Sequence, residues 1–69
     1  MATGEVLWFD AARGFGFIRP DFGPRDAFVH MSALAEGGLA ELAPGQRVEF
    51  ELTQTGDGRV TAHGVRPSR

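Results

Sequence analysis

Gly14-Phe15-Gly16-Phe17-Ile18, followed at a short interval by Phe28-Val29-His30, is the stretch from which the rest of this 69-residue chain is read. Side chains on a strand alternate between its two faces. As two strands of a hairpin, these segments therefore set Phe15, Phe17, Phe28 and His30 on one face, with Arg19 and Asp26 beside them. Ile18, Ala27 and Val29 fall on the opposite face, the better candidate for the core side. A strand phenylalanine is most often a core residue. A core that also held Arg19, Asp26 and His30, however, would bury polar groups without partners at a cost of ~1–3 kcal/mol each. Gly14 and Gly16 weaken a strand and offer bare backbone, which suits a place where a ligand lies flat against neighbouring rings. The expectation is an aromatic face turned to solvent.

The size allows one domain. A chain this short buries only about 60% of the surface its unfolded form exposes, so it builds one thin core. There is no cysteine, which excludes disulfides and thiolate metal sites and permits a reducing compartment. Met1-Ala2-Thr3-Gly4-Glu5 has no basic region and no long apolar run follows, so no signal peptide is expected. No stretch approaches the ~20 apolar residues of a membrane span. A soluble cytoplasmic protein, with no membrane partner, is the expectation. The formal charge of −2 and a pI of 5.5 argue mildly against a nucleic-acid partner, which ordinarily calls for a basic surface. All seven basic residues are nonetheless arginine, able to stack on a base as well as to pair with a phosphate.

Along the chain, Glu5 to Ala11 reads as a first strand whose run Val6-Leu7-Trp8-Phe9 is too dense for clean alternation, and a bulge near Trp8 would let neighbours share a face. Phe15 to Pro20 is the second strand, ended by Pro20 and the turn formers after it. Asp26 to Met31 is the third, followed by a short helical turn capped by Ser32 and a loop from Ala35 to Gly45. Arg47 to Thr53 alternates strictly, with Val48, Phe50 and Leu52 inward. Thr55-Gly56-Asp57-Gly58 is a hairpin turn, Arg59 to Val65 the fifth strand, and from Arg66 the chain leaves the sheet as a loose tail. Five short strands with one longer connection fit a small antiparallel barrel better than a flat sheet, whose edges would invite aggregation.

Gly4-Glu5-Val6-Leu7-Trp8-Phe9-Asp10, then Arg13-Gly14-Phe15-Gly16-Phe17-Ile18, then Asp26-Ala27-Phe28-Val29-His30-Met31-Ser32-Ala33-Leu34 and Gly45-Gln46-Arg47-Val48-Glu49-Phe50 resemble the cold-shock domain of the bacterial cold-shock proteins. The likeness covers residues 1–67, leaving 68–69 as a short tail. It implies an all-β, five-stranded antiparallel barrel of the OB-fold type that binds single-stranded RNA and DNA and acts as an RNA chaperone or regulator of transcription and translation. It implies base stacking on Trp8, Phe15, Phe17, Phe28 and His30, with Phe9 beside them. Arg13 then meets the backbone, Asp26 bonds a base edge, and Met31 and Arg59 complete the binding face. Only Phe15, Phe17, Phe28 and His30 follow from alternation independently; Trp8 rests on the resemblance.

Some positions depart from the family pattern. Leu7 stands where lysine is common and Asp10 where asparagine is usual; Met31 and Leu39 replace further aromatics, Gly58 a basic residue, and Val60 and Gly64 the proline and asparagine frequent in the last strand. Weaker binding and a shallow salt slope are expected, each lost phosphate contact flattening the slope by about 0.7 for single strands.

Two rival readings are weaker. Asp26, His30 and Ser32 are the residue types of a nucleophilic triad, but Asp26 and His30 lie roughly 13 Å apart along a strand. No catalytic residue and no small-molecule substrate are therefore assigned. His30 and His63 lack a third ligand, so no metal and no cofactor are expected. An aromatic patch that docks a protein is the more serious alternative. A single small barrel without a second obvious apolar patch is expected to be a monomer.

Overall fold

The computed structural model describes residues 1–23 and 25–68. They form strands β1 (Ala2–Asp10), β2 (Phe15–Pro20) and β3 (Ala27–His30), a helix α1 (Met31–Glu36), and strands β4 (Arg47–Gln54) and β5 (Val60–Pro67). The strands close into a barrel in the order β1-β2-β3-β5-β4. Four of its seams are antiparallel and the closing one, β3 to β5, is parallel. The parallel seam is a matter of parity: strict alternation of direction cannot return to its start around a ring of five. The expected antiparallel barrel is thus antiparallel everywhere but at the β3–β5 seam, whose two strands are separated in the chain by α1, the loop after it and β4.

The core is the inward set that alternation selects. Ile18, Ala27 and Val29 are fully buried, together with Val6, Val48, Phe50 and Val65. From α1, Ala33 and Leu34 plug the barrel, and the helix packs on β5 and β3. Its cap is His30, the last residue of β3, still extended at φ −108° and ψ 155°; the imidazole accepts the Ser32 N–H. Ser32, the cap expected from its residue type, already lies inside the first turn.

The start of β1, the end of β5 and the side chain of Leu52 differ from the sequence reading. β1 starts at Ala2 because Ala2, Thr3 and Gly4 pair with Phe50, Glu49 and Val48, a long-range ladder that local pattern cannot announce. Arg66 and Pro67 belong to β5, pairing with Glu49 and Val48, and Ser68 N–H donates to the Arg47 carbonyl at 3.1 Å, so these residues are not a loose tail. Arg69 lies outside the described residues. Leu52, on the same side of β4 as Phe50, is 40% exposed. β1 covers β4 only as far as Phe50, and Leu52 lies beyond that cover.

Outside the barrel, Arg47 grips Asp21 with two N–H donors at 2.9 and 2.6 Å, and Thr3 Oγ1 donates to the same carboxylate at 2.7 Å. This ties the end of β2 to β1 and β4. The Arg47 hydrogen bonds first, then that of Thr3, hold the Asp21 carboxyl at about 2, below its ordinary 3.8. A carboxyl depressed by folding contributes stability above its unfolded pKa and loses it as pH falls through the folded value. Asp21→Asn is expected to lower the urea midpoint at pH 7, and the difference from the parent chain should shrink between about pH 4 and pH 2. A difference that stays constant over this range would show that the ion pair does not contribute.

Candidate nucleic-acid interface

β1 changes parity in its middle. Val6 is opposite Ile18 and Trp8 opposite Phe17, so Leu7 is the extra residue of a bulge. Before it, Val6 faces the core; after it, Trp8 faces out with Phe17 while Phe9, opposite Gly16, turns in. Gly16 is required here for space: a Cβ would come within 2.3 Å of the Trp8 carbonyl and 2.7 Å of Phe9 Cα. The close approach that marks this glycine is therefore to β1, not to a ligand as its residue type suggested.

Register then assembles the outer face. Phe15 stands opposite His30, and Phe17 stands opposite both Trp8 and Phe28 on its two neighbours. Trp8 meets Phe15 at 5.7 Å and Phe17 at 5.4 Å between centroids; Phe28 stacks on Phe15 at 5.9 Å and meets Phe17 edge-on at 5.8 Å. These separations lie in the favoured range for aromatic pairs. Each ring is held by two others, so the group is ordered without being buried: Trp8 is 42% exposed and the phenylalanines are half-buried. His30 ends this row. Its Nδ1 accepts the Ser32 N–H at 3.2 Å, so the neutral ring carries its hydrogen on Nε2, free to donate.

Charge flanks the rings at both ends. Asp10 Oδ1 accepts the N–H groups of Ala12 and Arg13, each at 3.1 Å, and Oδ2 lies 3.6 Å from Arg13 Nε. The negative charge that Asp10 brings to this face is thus engaged by the β1–β2 turn and by Arg13, whose own side chain is exposed. At the other end Phe17, Phe28, Asp26, Arg59, Arg25 and Val60 surround an open cleft of about 420 Å³. Arg25 Nη1 donates to the Gly58 carbonyl at 2.7 Å. Sequence reasoning missed Arg25. Its only signal was a cation beside Asp26 in a turn, and the contact that aims it spans 33 residues. Gly58, at φ +84°, needs its lack of Cβ for the hairpin turn, and a Cβ there would crowd Arg25 Nη1 to 2.9 Å. The position that lacks a cation of its own therefore makes room for one from across the barrel.

Phe9 and Leu39 pack against the core while staying partly exposed; the bulge turns the first inward, and the return of the chain after α1, with Leu39 N–H donating to the Leu34 carbonyl at 2.8 Å, places the second. Met31 is exposed, its N–H donating to the Gly14 carbonyl at 2.8 Å beside Phe15. Ser32 Oγ lies 3.1 Å from His30 Nδ1, but Asp26 is at the opposite end of β3 in the cleft, so the three do not converge. His63 Nε2 pairs with Thr53 Oγ1 at 2.8 Å. Among the described residues no three side chains of metal-binding type come together, and no helix is long and apolar enough to cross a membrane.

A closed five-stranded OB-type barrel with an aromatic cluster on β1, β2 and β3 is the architecture of a small nucleic-acid-binding β-barrel. Residues 2–68 match the family model described as the 'Cold-shock' DNA-binding domain, and the chain belongs to the cold-shock domain family. It is 56% identical over 54 residues, 78% of either chain, to the probable cold shock protein y4cH of Sinorhizobium fredii. It is 50% identical over 62 residues, 90% of either chain, to the cold shock-like protein CspE of Escherichia coli. Glycine-rich protein 2 of Nicotiana sylvestris is 51% identical over 64 residues, which are 93% of this chain and 30% of that longer protein.

Proposed function

We propose that this domain binds single-stranded RNA and DNA by stacking bases on Trp8, Phe15, Phe17, Phe28 and His30, as a monomer in the cytoplasm, and serves as an RNA chaperone or a regulator of transcription and translation. The observation that carries the reading is the four-ring cluster held half-exposed on the barrel wall. Every base has a π-face, and a stack on an aromatic side chain is worth about 1–3 kcal/mol while tolerating any sequence. A duplex hides those faces, so the same surface selects unpaired strands. Trapping them shifts RNA away from its own hairpins by mass action, with binding alone and no catalysis.

Arg13, Arg25 and Arg59 supply the phosphate contacts at the two ends of the cluster. If all three engage, log K falls with log salt at a slope of about −2, shallow for a nucleic-acid binder. Trp8 is the only tryptophan and reports on the site. Titration with a pyrimidine-rich single strand is expected to quench its fluorescence, with a matched duplex leaving it unchanged. Equal quenching by both, or none by either at low salt, would overturn the stacking reading; a protein partner for the same rings would then be sought.

A further inference from the structure

Next to the cleft at Phe17 and Phe28 lies a second one, of about 190 Å³, lined by Pro20, Phe22, Arg25, Leu52, Gln54 and Val60. Arg25 and Val60 line both, so the two hollows adjoin across one arginine. We propose that the second hollow is a further base subsite, in which Phe22 stacks one nucleotide of a single strand leaving the Phe28 end of the aromatic cluster. This rests on the stacking function proposed above and extends it.

The chemistry of the hollow selects a nucleotide. Phe22 is 88% exposed in the turn after β2, a ring with both faces open that no packing in the barrel requires. Single exposed apolar residues are ordinary; this one stands over a hollow whose one charged lining residue, among those described, is a cation. Arg25 spends one donor on the Gly58 carbonyl, which anchors it between the hollows, and keeps the others for a phosphate. Gln54 carries both a donor and an acceptor suited to a base edge. Asp21, next to Phe22 in sequence, is held by Arg47 and Thr3, and Asp26, next to Arg25, lines the adjoining cleft and not this one. An anionic backbone crossing Arg25, with a base on Phe22, satisfies each of these groups.

The test compares oligothymidines of about four and about eight nucleotides, the lower part of the range of OB-fold site sizes. Trp8 fluorescence serves as the readout. In the parent chain the longer strand is expected to bind more tightly. Phe22→Ala should weaken the longer strand by about ten-fold, the worth of one stack, and leave the shorter one unchanged. Phe22→Trp should retain the tight binding of the longer strand. Equal affinities of Phe22→Ala and parent for both lengths, or an equal loss at both lengths, would overturn the subsite. Absence of binding by the parent chain at either length would overturn the stacking function as well.

Discussion

Phe50→Ala is expected to cost about 3–5 kcal/mol of stability, the range for truncating a buried aromatic ring. Phe50 is the largest of the fully buried side chains. It sits where β1 pairs with β4, opposite Ala2, so the cavity would open against the first strand of the barrel. Domains of ordinary stability have only about 5–15 kcal/mol in total, and a chain this small lies toward the bottom of that range. The variant should be partly unfolded at physiological temperature. Leu52→Ala, two residues further along the same strand and on the same side, should be close to neutral, because Leu52 is already 40% exposed. Urea denaturation of both variants checks the pair of statements. Similar midpoints would mean that the cover of β4 by β1 does not end at Phe50.

Phe28→Ala should have the largest effect on binding. Phe28 contacts both Phe15 and Phe17, and it lines the cleft that holds Asp26 and Arg59. Removing it deletes one stack, about 1–3 kcal/mol, and also frees its two neighbours to leave the orientation that presents them. The binding loss should therefore lie at the upper end of that range, a hundred-fold or so in affinity at the 1.4 kcal/mol per decade of binding. Because the ring is half-exposed, its removal should destabilise the fold less than Phe50→Ala does. A titration of the variant with a single-stranded oligonucleotide, beside its urea midpoint, separates the two effects. Loss of folding on the scale of Phe50→Ala would show that these rings belong to the core and not to a binding face.

Much of this domain is legible in the amino-acid sequence. Period-two alternation in β2 and β3 is local and short, so Phe15, Phe17, Phe28 and His30 separate from Ile18, Ala27 and Val29 by counting alone. The Asp57-Gly58 turn, the alternation of β4 and the break at Pro20 are likewise written in neighbouring residues. What counting misreads is parity wherever the ladder slips. The single extra residue at Leu7 turns Trp8 outward and Phe9 inward, and no property of those side chains distinguishes their fates.

Composition and contacts between near neighbours suffice to specify a one-domain, cysteine-free β-barrel with an aromatic outer face on its second and third strands. The parallel seam, the addition of Trp8 to the aromatic face, the exposure of Leu52 and the bridging place of Arg25 arise only in the assembled fold. Trp8 depends on the slipped register between β1 and β2; the others depend on which distant segment lies alongside, and that is set by barrel closure, a condition on the whole chain that no local segment encodes.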